Sequence, residues 1–379
     1  MTILQLGKTW FTETSGGGSD RVFAALLRHL PDAETSVRGL VVGSTPVNGH
    51  TIPGLSGVST ETASLWTRCR SIRRRVRATL DGDAPDVVAA HFALYAAPVL
   101  DLVGDHPFIV HFHGPWAEES RMEGEAAWKV AAKALLEQSV YRRADHFVVL
   151  SEAFREILAD DYSISADRIS IIPGGVDVEM FNTRSTRQEA RTHLGWPTDR
   201  PTVVSVRRLV HRVGLEPLVR AMDQVRRRMP DALLCIAGKG PLRTKLEQLI
   251  TDLNLTDHVR LLGFVPEADL PYVYRAGDVS IMPTQALEGF GLSAVESFAA
   301  GTPVLVTPVG GLPDIVTSLS NDLLMDGTDA QTLAEHVTAA LDGSLRLPSN
   351  TDCRSYAARH FDWPVIAHQT RTLYRNLRP

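Results

Sequence analysis

Short runs of Val, Ile, Leu and Ala recur along the chain at Ile3–Leu6, Val37–Val42, Val87–Ala90, Phe108–His113, His146–Leu150 and Ile169–Ile172. They lack the polar alternation of a sheet with one wet face, so they read as strands buried on both sides in a parallel sheet. Helical stretches separate them, from about Asp20 to Leu30, from roughly Glu125 to Arg143, and onward from Ser151-Glu152. Between Asn182 and Arg200 the chain turns polar and carries Gly195 and Pro197, the composition of a linker. The alternation then restarts, with strands at Val203–Val206, Leu233–Ala237, Val259–Leu262, Val279–Met282 and Val304–Val306. Helices fall between them, including one ending near Met229 and one at Leu270–Ala276. Two successive βα series predict two doubly wound α/β domains, whose cleft is the default ligand site.

The stretch Thr284 to Gly301 stands out within this pattern. Gly289 and Gly291 bracket Phe290 just before a helix that starts at Leu292 with a buried apolar face. Glycines allow close backbone approach, and the first N–H groups of a helix lack partners, so the turn suits a phosphate. Glu288 lies before the helix and Glu296 on its early turns. An acid on each side of a phosphate cradle fits a ligand with hydroxyls on both sides of its phosphates, such as a nucleotide sugar. Two plainer readings stay open here, Glu288 as a helix cap and Glu296 as a solvated helix residue. In the first half, the strand Ile3–Leu6 runs through Gly7 into Ser15-Gly16-Gly17-Gly18-Ser19 and then a helix. That layout binds phosphates in doubly wound folds, although it is not Gly-x-Gly-x-x-Gly, which disfavours an NAD-type oxidoreductase.

His111-Phe112-His113-Gly114-Pro115 closes the strand at Phe108. Histidines two apart share one face of a strand and could bind a metal, but no third ligand is evident nearby. At a strand's carboxyl end, His113 is a candidate for polar contact with substrate.

Composition narrows the class. Hydrophobic residues make up 44% and charged residues 22% of 379, the balance of a water-soluble globular protein. A net charge of -5 argues against nucleic acid as a partner. Cys69, Cys235 and Cys353 have no paired spacing, which excludes a disulfide framework or a zinc site and fits a reducing, cytoplasmic compartment. No run approaches the ~20 apolar residues of a membrane span, and the N-terminus reads as a strand rather than a signal peptide. The stretch Arg68–Arg77 holds Arg68, Arg70, Arg73, Arg74, Arg75 and Arg77 without an acid, interleaved with apolar residues. Such a helix is either a solvated face or a peripheral contact with an anionic membrane.

In order and spacing these motifs resemble the retaining nucleotide-sugar glycosyltransferases of the GT-B fold, family four. The resemblance rests on Gly16-Gly17, His113, Pro173-Gly174-Gly175-Val176-Asp177, Arg207-Arg208-Leu209-Val210, Gly263-Phe264-Val265-Pro266 and the Glu-x7-Glu pair Glu288 and Glu296. Ala299, Gly301-Thr302-Pro303-Val304 and Gly310-Gly311 follow as in that family. It implies two Rossmann-like domains, residues 1–182 for the acceptor and 183–360 for the donor, with a final helix in 361–379 crossing back to the first. It implies transfer of a sugar, by default from a UDP-sugar, to a glycan, lipid-linked or small-molecule acceptor, with retention and without a metal. Glu288, His113 and Arg208 would be catalytic. Glu288 with the backbone of Phe290, Gly291 and Leu292 would hold the donor sugar, and His113 its 6-hydroxyl. Glu296 would bind the ribose and Val265 the base, while the Gly16-Gly17 loop would meet the diphosphate. There is one departure. The family carries a lysine five residues after Arg208, where this chain has Val213. Arg212 or Lys239 could turn toward the phosphates instead, and a binding protein without transferase activity stays open as the alternative.

Overall fold

The computed structural model describes residues 1–9, 17–43, 52–60 and 62–378. It consists of two compact units, Met1–Gly174 with Trp363–Pro379, and Gly175–Asp362. The segment 175–182, assigned from sequence to the first domain, packs in the second unit through its short helix Val178–Phe181.

Among the described residues the first unit holds seven strands: β1 (Thr2–Thr9), β2 (Ser36–Val42), β3 (Leu55–Gly57), β4 (Val87–Ala90), β5 (Phe108–His111), β6 (His146–Val149) and β7 (Ile169–Ile171). They are all parallel, in the order β3-β2-β1-β4-β5-β6-β7. The strand order reverses between β1 and β4, and in such sheets ligands bind outside that switch point. The edge strand β3 has only three residues, too short to stand out as an apolar run.

Alternation along β1 sends Leu4 and Leu6 into a core with Ile72, Val76, Val140 and Phe154. Ile3 faces the opposite core, built with Phe23, Leu27, Trp363, Ile366 and Tyr374. Gly7 and Gly39 let this second layer sit directly on the sheet, since a Cβ on Gly7 would come within 2.8 Å of Phe23 Cζ and one on Gly39 within 2.7 Å of Leu27 Cδ1. The C-terminal helix Trp363–Asn376 belongs to this layer, and packs on the helix Gly18–His29. Arg371 Nη1 donates to the His29 and Leu30 carbonyls at 2.7 and 3.1 Å, satisfying that helix's open C-terminal end.

The second unit holds β8 (Thr202–Val206), β9 (Leu233–Ala237), β10 (Val259–Gly263), β11 (Val279–Met282) and β12 (Val304–Val306). These too are parallel, in the order β10-β9-β8-β11-β12, with the switch between β8 and β11. The helix Leu215–Arg228 covers one face, burying Leu218, Val219, Met222 and Val225. The fold is therefore the expected pair of Rossmann-like parallel-sheet domains.

Candidate functional site

In the second unit the polar groups gather where β8 and β11 end. Arg207, the first residue after β8, extends Nη2 to Glu288 Oε2 at 2.5 Å and to Thr284 Oγ1 at 3.1 Å. This ion pair is nearly dry, with 8% and 15% of the two side chains exposed. Burial pushes the Glu288 carboxyl up, but the charges of Arg207, Arg212 and Arg208 outweigh it and hold the group below the usual carboxylate range. Glu288 is thus a charged group set among arginines rather than a helix cap. Sequence reasoning placed Arg207 in a motif but gave it no role. Nothing in the linear order says that it, rather than Arg208, reaches Glu288. Arg208 itself is exposed.

The loop that carries Glu288 is fixed from three sides. Arg212 Nη1 donates to the Leu287 carbonyl at 2.6 Å, and the Arg212 carbonyl accepts from Gln285 N at 2.8 Å. Gly311 N donates to the Glu288 carbonyl at 2.9 Å. Gly310 has φ +58, and a Cβ there would stand 1.9 Å from the Glu288 carbonyl oxygen, so only glycine admits this approach. Leu287 is left at φ 51, a left-handed conformation that costs a non-glycine residue on the order of 1–3 kcal/mol.

Gly291 caps the helix Leu292–Ala299 at φ 102. Phe290 is 4% exposed, with its ring against Phe361, so what it can offer a ligand is its backbone. Ser293 Oγ donates to the Val206 carbonyl at 2.9 Å and ties the helix's first turn to the end of β8. Glu296 is 6% exposed and accepts from the Tyr274 hydroxyl at 2.8 Å. It is a buried, oriented carboxylate and not a solvated helix residue. Val213 is also buried, in the core under the helix Leu215–Arg228, so the vacancy for the family lysine is filled by packing. Arg212 turns to a backbone carbonyl, and Lys239 Nζ lies 4.7 Å from the exposed Phe264 ring, next to the half-buried Val265.

In the first unit, Gly17 caps the helix Gly18–His29, and its N–H meets Asp20 Oδ2 at 3.3 Å. Gly16 lies outside the described residues. β5 ends at His111, so His113 stands beyond the strand, in the turn before Gly114. A third histidine, His91, follows β4 and was not visible as a neighbour in the sequence. Its Nδ1 lies 3.0 Å from His113 Nε2, and its ring stacks on His111 at 4.3 Å. His111 Nε2 in turn lies 2.5 Å from the Tyr374 hydroxyl of the C-terminal helix. Burial pushes His111 down to about 3 and His113 to about 4, and takes His91 well below the ordinary range as well. The three imidazoles are neutral at pH 7. No group of three His, Cys, Asp or Glu among the described residues has the arrangement to hold a metal.

Two family profiles match the chain. Glycosyltransferase Family 4 covers residues 16–180, and Glycosyl transferases group 1 covers 186–360. The GDP-mannose-dependent alpha-(1-6)-phosphatidylinositol monomannoside mannosyltransferase of Mycolicibacterium smegmatis is 32% identical over 260 residues, 65% of each protein. The match thus spans just under two thirds of that relative. The 2-deoxystreptamine glucosyltransferase of Streptomyces kanamyceticus is 28% identical over 372 residues, 93% of this chain and 92% of its own. Among solved structures, Anabaena HepE in complex with UDP and glucose superposes with a TM-score of 0.80 at 21% identity, covering 99% of this chain and 100% of its own. The sucrose-phosphate synthase of Thermosynechococcus elongatus also reaches 0.80, at 23% identity, with 99% and 98% covered.

Proposed function

The chain belongs to glycosyltransferase family 4, and on that footing we propose that it transfers a sugar, with retention, from a nucleoside-diphosphate sugar to a hydroxyl acceptor. The observation that carries this reading is the arginine-ringed Glu288 beside the glycine-capped helix at Leu292. Breaking the bond between the anomeric carbon and the diphosphate builds negative charge on the leaving oxygens. Arg208, exposed and next to the buried pair, and the open N–H groups at Phe290–Leu292 are donors of the kind that stabilise such charge. Glu288 is ionised and held by Arg207, which fits it to accept hydroxyls of the donor sugar. Glu296, oriented by Tyr274, has the character of a ribose ligand. Neutral His113 can exchange one hydrogen bond with a sugar hydroxyl. A leaving phosphate oxygen can take the acceptor's proton as the new glycosidic bond forms, so the scheme requires no strong base and no metal.

UDP-sugars are the donors we propose, a choice supported by the similarity in fold to HepE, whose complex holds UDP. A glycan or lipid-linked hydroxyl compound is the proposed acceptor. The test is nucleotide release by the pure protein from a panel of UDP-, GDP- and ADP-sugars with and without acceptors. Donor binding without release from any pair would favour a second reading, a nucleotide-sugar-binding protein, for which the missing lysine at Val213 speaks.

We also infer a peripheral contact with an anionic membrane surface on the cytoplasmic side. No described helix is long and apolar enough to cross a membrane. In the helix Leu65–Gly82, Arg73 is engaged with Asp101, and Arg68 donates to the Tyr95 hydroxyl at 3.0 Å. Arg74, Arg75 and Arg77 stay exposed along the helix, which carries the exposed Leu65 and Trp66 at its start. Replacing those three arginines with Ser should reduce binding to anionic vesicles by ~1 kcal/mol per charge. If the wild type ignores such vesicles at low salt, the helix is a solvated face.

A further inference from the structure

A second cationic cluster lies in the second unit, on the same helix as Tyr274. It gathers at the C-terminal end of the helix Leu270–Ala276. Arg187 Nη1 and Arg191 Nη2 both bind Asp278, each at 2.8 Å, and their Nε groups donate to the carbonyls of Gly277 and Ala276. One carboxylate and one helix end therefore already serve two guanidinium groups.

Arg275 adds a third charge. It is 9% exposed, and its Nε donates to the Ser185 carbonyl at 2.9 Å. Its Nη1 is buried and meets no protein partner among the described residues. Arg354, on the helix Asn350–His360, adds a fourth. Its Nη1 lies over the turn at Gly301, close enough that a Cβ there would sit 2.3 Å away. The Thr302 hydroxyl in that turn donates to the Tyr274 carbonyl at 2.9 Å, which sets the turn beside Arg275. No described carboxylate lies within salt-bridge distance of Arg275 or Arg354. Burial first, then the charges of Arg354 and Arg187, weaken Arg275's hold on its proton.

A buried guanidinium with an unused donor, facing other guanidiniums, is an unstable arrangement unless an anion completes it. We propose that Arg275, Arg354 and Arg187 form a binding site for a phosphate-class oxyanion. Guanidinium forks match the oxygens of such a group, and a multiply charged anion offsets the excess of cations that Asp278 leaves.

The test is thermal unfolding against inorganic phosphate, at constant ionic strength set with chloride, with the variants below separating this site from a donor site. A ligand that binds only the folded state raises Tm in a saturable way. The wild type and Arg208→Ala should both show that rise, and Arg354→Gln should lose it. Arg354→Glu supplies a carboxylate in place of the anion, so it should unfold at a higher temperature than wild type without phosphate and then fail to respond to it. Phosphorus NMR line broadening on the wild type reads binding without any variant. Absence of saturable binding to the wild type overturns the proposal. So does an equal response in Arg354→Gln, or an effect of chloride matching that of phosphate.

Discussion

Around the ends of β4 and β5 the polar side chains are three imidazoles and a phenol, all uncharged, with the buried amide of Gln5 on the same sheet. Beside β8 and β11 they are guanidinium groups around one carboxylate. Both clusters stand at strand ends of a parallel sheet, the second at its switch point and the first on the β4 side of it, so the topology is alike and the chemistry is not. Desolvation acts on both. Where no counter-charge is near, it drives the imidazoles to their neutral forms, and stacking and hydrogen bonds hold them. Where arginines are near, it is outweighed and Glu288 stays ionised. A neutral cluster can trade hydrogen bonds with sugar hydroxyls at little electrostatic cost, whereas a cationic one is matched to phosphates. The same topology thus carries two polar chemistries, decided by which residues follow the strands.

The sharpest way to break this contrast is to take the counter-charge from the second unit. Arg207→Met should destabilise that unit by ~3–5 kcal/mol, because it leaves Glu288 buried without its partner. Adding Glu288→Gln should recover much of the loss in urea unfolding. A cost under ~1 kcal/mol would mean that Arg208 and Arg212 suffice for Glu288. Next in size, Arg208→Ala should lower kcat by ~100-fold or more, the scale of losing one donor aimed at developing charge. Intact turnover would put the diphosphate elsewhere. Glu296→Ala should then weaken donor binding by ~1.5–3 kcal/mol in calorimetry, the worth of hydrogen bonds to a charged group. An unchanged dissociation constant would remove Glu296 from the ribose.

Acid should separate the two regions. The histidines have folded values below their ordinary one near 6.5, so the unfolded chain takes up protons first, and the first unit loses stability as pH falls below about 6.5. The loss is ~1.4 kcal/mol per pH unit for each ring that titrates, ending as pH passes the folded values. Glu288 has the opposite requirement. Its contribution is present above the ordinary carboxylate value and fades only as pH drops through its lowered one. Hydrogen exchange at pH 7 and pH 5 should therefore show the first unit loosening while the second holds. Equal loosening of both would show that the imidazole cluster is not the weak point. The smallest effect expected is none at all: turnover should survive EDTA, and a loss restored by magnesium or manganese would overturn the metal-free scheme.

Much of this was written in local sequence. Unbroken apolar runs marked both parallel sheets, because a strand buried on two faces has no polar positions to hide it. Gly289 and Gly291 marked the turn before the helix at Leu292, because glycine tolerates positive φ and a close backbone approach. The acid pair at Glu288 and Glu296 stood out by its place around a glycine-flanked helix start, while its burial and its partners did not. What only the tertiary structure decided were the pairings across distant segments. Arg207 and Glu288 are 81 residues apart, His91 and His113 are 22 apart, and His111 and Tyr374 are 263 apart. Which of two neighbouring arginines turns inward depends on the direction a strand hands to its last side chain. That direction is set by register in the sheet. Likewise Val213 reads in sequence as a missing lysine, and in the fold as a core residue, because burial belongs to the packing of helix on sheet and not to the position in a motif.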